Sequence, residues 1–163
     1  MAPGAAGKTR SYKPDSQQIE LIGRAALETQ LIRYGFEIAR PHRDKGIDLI
    51  VFLDAPAHRL AALPIQVKSY TGESFGVMRK YEGRKDLIHA YIWKVLDQPK
   101  FFLMTFAEAV RVLPKAQRQT ESWNRTDGKA GWHWTRVPES IRPTLFRYED
   151  RWTWLRQRLQ GKR

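Results

Sequence analysis

Read for the spacing of its apolar positions, the chain divides into alternating helical and extended stretches. Asp15 or Ser16 is placed as an N-cap, and Gln18 can complete a capping box on Asp15. A helix follows from about Gln17 to Tyr34 and stops at Gly35, the residue type that most often closes a helix. Its apolar residues run almost all the way round, as in a helix covered on more than one side. Phe36 to Ala39 reads as a short strand broken at Arg40-Pro41, and His42 to Gly46 as a charged turn. Ile47 to Leu53 is apolar on both faces apart from Asp48, the pattern of a central, covered strand. A turn over Asp54 to His58 leads into a returning strand over Arg59 to Ser69. Pro64 there implies a bulge or a late start, with the firm part at Ile65 to Ser69. The two apolar strands make an antiparallel hairpin.

Tyr70 to Gly76 is a glycine-containing loop. Leu87, Ile88, Tyr91, Ile92, Val95 and Leu96 then repeat at helical spacing, which predicts a helix over roughly Arg84 to Asp97. Phe101 to Phe106 reads as a buried strand and Ala107 to Leu113 as a short helix ended by Pro114. His133 between Trp132 and Trp134 gives a strand with alternating aromatics, and Trp152 to Leu159 a closing helix. This order predicts an α/β fold with a mixed sheet. The expected organisation is a flexible arm over 1–14, a core domain over 15–114 and a basic, Trp-rich C-terminal extension over 115–163 packed on the same domain.

Composition narrows the function classes. With 163 residues and 42% hydrophobic side chains, the chain can bury one proper core. Cysteine is absent, which excludes a disulfide framework, a thiolate nucleophile and a Cys-based zinc site. No run approaches the roughly 18 apolar residues of a membrane span, and Met1 to Pro14 has no secretory apolar region. A cytoplasmic location without membrane association is the expectation. The balance of 29 Lys and Arg against 17 Asp and Glu leaves +12. Residues 1–110 contribute +4 of this and 111–163 contribute +8, the latter with five of the six tryptophans. Such an excess favours a polyanionic partner, nucleic acid above all. The phosphate-loop and dinucleotide glycine motifs are both absent.

The candidate chemistry lies in the two hairpin strands. Gln66 and Lys68, two residues apart, project to one face, and Asp48 opens the facing strand. An acid, an amide and an ammonium in an apolar sheet cost free energy unless they pair or bind something. Hard divalent cations take a few oxygen ligands and keep several waters. Asp48 offers a carboxylate, Gln66 its side-chain carbonyl and Val67 its backbone carbonyl. Lys68 is placed to orient or activate a water and to offset charge on a scissile phosphate. The first helix supplies a further acid: Glu20 shares a stripe with Leu27 and Leu31, while Glu28, roughly 80° away, is held in reserve.

Gly46-Ile47-Asp48 followed by Gln66-Val67-Lys68, behind a helix bearing Glu20, resembles the PD-(D/E)xK nuclease superfamily, which includes restriction endonucleases and Holliday-junction resolvases. The resemblance covers about Ser16 to Phe106. It implies a restriction-endonuclease-like αβββαβ core, a mixed central sheet flanked by helices, and a Mg²⁺- or Mn²⁺-dependent endonuclease hydrolysing DNA. Asp48, Gln66, Lys68 and Glu20 would form its site. Arg43, Lys45, Ser69, Tyr70, Arg79 and Lys80 are the expected nucleic-acid contacts. Two positions depart from the family pattern: Ile47 stands where a proline is expected and Gln66 where an acid is expected. A Gln still offers an oxygen but no charge, so metal binding would lean on Glu20 or another acid.

Other readings stay open. A nuclease-derived module could bind nucleic acid or a protein without cleaving. Asp48 and Lys68 could form a cross-strand ion pair with Gln66 as a hydrogen-bonded neighbour. A basic interaction protein could meet an acidic partner. RNA as substrate and a homodimer are likewise left open.

Overall fold

Asp15 begins the first helix as the sequence places it. Its carboxylate accepts the Gln18 N–H (2.9 Å), and the Gln18 side chain takes the Asp15 N–H (3.0 Å). The helix α1 (Ser16–Arg33) ends at Gly35, whose φ of +74° suits a residue without a Cβ. The computed structural model describes residues 12–43, 45–53 and 60–161. Most of the expected arm, Asp44 of the charged turn, and the turn over Asp54 to His58 therefore lie outside the described residues.

The strands β1 (Glu37–Ala39), β2 (Leu49–Phe52), β3 (Ala62–Ser69), β5 (Ile88–Trp93) and β6 (Lys100–Thr105) form one sheet in the order β1-β2-β3-β5-β6. Only β3 and β5 are parallel; the other neighbours are antiparallel. Between them the chain forms β4 (Phe75–Met78) and a 3₁₀ turn at Arg79–Tyr81. The helix expected over Arg84 to Asp97 is corrected here, because β5 occupies its middle. Every residue of β5 is buried, so both of its faces are covered. Alternation, the sequence mark of a strand, is lost when both faces are covered.

Pro64 sits inside β3, opposite Ile50. The Asp48 N–H bonds to the Ile65 carbonyl (2.9 Å), so Ile65 turns its backbone groups towards β2 and Pro64 turns its missing donor away. On that side β5 begins only at Ile65↔Ile88, so Pro64 interrupts no ladder bond.

The sheet carries a core on each face. On one, Leu27 and Leu31 of α1 pack with Ile65, Val67, Ile88, Ala90 and Ile92, joined by Trp152, Leu155 and Leu159 of a later helix (Trp152–Leu159). Each fully buried Leu or Ile contributes about 1.5–3 kcal/mol. On the other face Tyr91, Trp93, Phe102 and Met104 pack with Phe75, Val77, Val112 and Trp123. This second core includes α2 (Phe106–Val112), started by a Thr105–Glu108 capping box, and α3 (Arg142–Phe146). The closing helix is α4. β4 finds its partner in β7 (Gly131–Trp134), the strand with alternating aromatics. The Tyr91 hydroxyl donates to the Gly76 carbonyl (2.8 Å) and the Trp93 indole N–H to that of Ser74 (2.6 Å), which ties the small sheet to the large one. Residues 148–150 run along the outer edge of β6, with the Asp150 N–H on the Phe101 carbonyl (2.8 Å).

Candidate active site

β3 runs on past the end of β2, and the site lies in the gap this leaves. Asp48 is the residue immediately before β2. Its N–H bonds to Ile65, and its carboxylate Oδ2 accepts the Val67 N–H (2.7 Å). A carboxylate thus takes the place of the backbone acceptor that a longer β2 would have supplied, and its side chain is 9% exposed. The hydrogen bond fixes Asp48 beside the motif residues of β3.

Gln66 is 5% exposed. Its Nε2 donates to the Tyr81 hydroxyl, and its Oε1 is buried without a hydrogen-bond partner among the described residues. The 3₁₀ turn after β4 delivers Tyr81, whose ring lies so close to Gly46 that a Cβ there would meet it at 3.0 Å. Gly46, at φ +79°, leaves room for the ring. Lys68 follows Gln66 on the same face of β3.

Glu20, Gly46, Asp48, Gln66, Val67 and Lys68 line one pocket of about 330 Å³, together with Ser16, Ser69, Tyr70, Lys80 and Tyr81. The structure therefore brings four predicted site residues and Val67 to one place. Among the nucleic-acid contacts expected from the sequence, Ser69, Tyr70 and Lys80 line it too. Arg79 turns elsewhere: it pairs with Glu82 (3.0 Å) and bonds to the Trp123 carbonyl. Arg43 and Lys45 are exposed in the stretch before Gly46 and do not line the pocket. Glu28, the reserve acid, is engaged by Arg40 through two hydrogen bonds (2.7 and 2.6 Å) and does not line it either.

Three residues at the site escape sequence reasoning. Arg24 of α1 places Nη2 2.8 Å from Glu20 and 3.9 Å from Asp48. Its i,i+4 spacing to Glu20 was a readable signal; its approach to Asp48 was not. Tyr81 reaches Gln66 across 15 positions. His89 stands opposite Gln66 in the β3–β5 register and edge-on to Tyr81 (centroids 5.3 Å apart). Burial first, then the charge of Lys68, pushes His89 down to about 4, so it is neutral at pH 7. Burial pushes the Tyr70 phenol up to about 12, which leaves it a hydrogen-bonding group at neutral pH.

No family model and no curated protein sequence matches the chain. Among solved structures it is similar to a bacterial homing endonuclease, I-Ssp6803I, with a TM-score of 0.59 at 15% identity. The fold is endonuclease-like. The superposition covers 91% of this chain and 98% of the other. Residues 1–114 are only about 70% of the 163, so the shared fold reaches into the Trp-rich stretch. No helix among the described residues is long and apolar enough to cross a membrane. Likewise, no cluster of three or more His, Asp or Glu among them is spaced to hold a metal ion.

Proposed function

We propose that the protein is a divalent-metal-dependent endonuclease of the PD-(D/E)xK type that hydrolyses phosphodiester bonds in DNA. One observation carries the reading: Asp48, locked to the Val67 N–H, shares a single pocket with Gln66, Lys68 and Glu20. The endonuclease-like fold and the +12 charge support it. The donor set suits Mg²⁺ or Mn²⁺: two carboxylates and an amide oxygen without a hydrogen-bond partner among the described residues, with pocket space for the waters such ions retain. Asp48, Glu20, the Gln66 Oε1 and the Val67 carbonyl would hold the ion. When bound, it supplies Lewis-acid polarisation of the phosphate and a more acidic water.

The other pocket residues bind and orient. The Lys68 ammonium positions the attacking water and offsets the charge growing on the phosphate oxygens. Lys80 adds a second positive charge at the wall. Tyr81 keeps the Gln66 amide turned with Nε2 towards its own hydroxyl, which leaves Oε1 for a cation. The extent assigned to the core, 15–114, is proposed with the C-terminal extension as part of one unit.

A second reading rests on two details of the same pocket: Gln66 brings no charge, and Arg24 lies against Asp48. On that reading the protein binds nucleic acid without cutting it. Supercoiled plasmid incubated with Mg²⁺ or Mn²⁺ separates the two. Nicking or linearisation is expected from the wild type, falling about 10²–10³-fold in Lys68→Ala. Duplex binding with no cleavage in either metal, or equal cleavage by wild type and Lys68→Ala, would sink the enzymatic reading.

A further inference from the structure

The two carboxylates proposed as metal ligands already share a cation. One nitrogen of Arg24, Nη2, is 2.8 Å from Glu20 Oε1 and 3.9 Å from Asp48 Oδ1. The guanidinium is held there by the fold. Gly23 brings α1 so close to β3 that a Cβ on it would meet the Ser69 Oγ at 1.9 Å, and the next residue, Arg24, lies beside Glu20 and Asp48. Arg24 is also poorly satisfied: its Nε is buried with no hydrogen-bond partner among the described residues. A buried donor without a partner costs free energy, so the guanidinium is held by its Nη2 contacts to the two acids. Here the contacts go to acids whose proposed partner is another cation.

We infer that Arg24 is an internal counter-cation that competes with the divalent ion for Glu20 and Asp48, so that metal binding requires its release. This rests on the metal-dependent reading above. Without a metal, Arg24 offsets the repulsion between two carboxylates that face one pocket. A divalent ion between them replaces that charge, and two cations cannot share the same oxygens without mutual repulsion. The affinity for metal is therefore reduced by the strength of the Arg24 contacts.

Mn²⁺ binding to the full-length protein, followed by the loss of free-ion paramagnetic signal, tests this without any turnover. The variants are Arg24→Met, which keeps length and removes charge, and Arg24→Lys, which keeps charge. Asp48→Asn reports whether the ion sits where proposed. Arg24→Met is expected to bind Mn²⁺ about 5-fold more tightly than wild type, the upper effect of removing a partly exposed ion pair. Arg24→Lys should stay within about 2-fold of wild type, and Asp48→Asn should lose binding. Unchanged or weaker binding in Arg24→Met, with Asp48→Asn still defective, overturns the competition and leaves the metal site standing. Binding that is absent in wild type and Arg24→Met alike, or unaffected by Asp48→Asn, removes the metal reading and the competition with it.

A measurement on the unmutated protein guards against a folding defect in Arg24→Met. The Arg24 Nε–Hε resonance should shift or broaden as Mg²⁺ is added. A resonance unmoved at saturating metal overturns release.

Discussion

His89 shows how much one buried side chain beside the site can set. It is 3% exposed, and its Nε2 has no hydrogen-bond partner among the described residues. Burial, with the nearby Lys68 charge added, holds it neutral down to about pH 4, against 6.5 in an unfolded chain. Between those values the unfolded chain binds a proton that the folded one refuses, so stability rises with pH across this window. The contribution is present in full above about pH 6.5 and is lost as pH falls towards 4, by about 3 kcal/mol in all. Urea unfolding of wild type and His89→Phe from pH 4 to 7 should give curves that diverge in this way, with the variant's acid slope shallower. Parallel slopes would show that His89 is not held neutral. Gln66 and Lys68 were legible as a pair because strand geometry puts i and i+2 on one face, and Asp48 because it is the one polar residue in an apolar run. His89 and Tyr81 were not, because nothing local in the sequence records which strand lies beside Gln66.

At the scale of elements, α1 packs tightly on β3 beside the site. A Cβ on Gly23 would meet the Ser69 Oγ at 1.9 Å and the Ser69 Cβ at 2.6 Å, with Val95 next at 3.3 Å. Gly23→Ala should destabilise by about 1–3 kcal/mol through overpacking. In a Ser69→Gly background the obstruction is gone, and the same change should become neutral or stabilise by up to about 1 kcal/mol, since alanine is the better helix former. A thermal double-mutant cycle reads the change of sign; an equal cost in both backgrounds would refute close packing as the cause. Elements with a local signature were readable: the Asp15–Gln18 capping box, Gly35 at the helix end, the hairpin strands and α4. β5 was read as a helix because Leu87, Ile88, Tyr91, Ile92, Val95 and Leu96 match a helical stripe equally well once both faces of a strand are covered. Phe75 and Gly76 of β4 were read as the end of a loop and its other two residues as no element, because the strand is short and carries Gly76, and its partner β7 lies more than 50 positions away.

For the molecule as a whole, charge sets the expected behaviour towards nucleic acid. The excess of +12 is concentrated after residue 110, on a stretch that covers the β6 edge and builds β7, α3 and α4. Duplex DNA binding, followed by anisotropy in EDTA, is expected to weaken about 10³-fold between 50 and 200 mM salt, as for a protein making about six phosphate contacts. A nearly flat salt response would argue for a protein partner instead. The same stretch has a role in assembling the pocket. Lys80 and Tyr81 follow directly from β4, and β4 is paired by β7 at Gly131–Trp134. During synthesis, Asp48, Gln66 and Lys68 leave the ribosome well before the strand that anchors the opposite wall. The pocket therefore closes late in the order of translation, and a chain stopped before residue 131 carries the motif without the strand that holds Lys80 and Tyr81 against it.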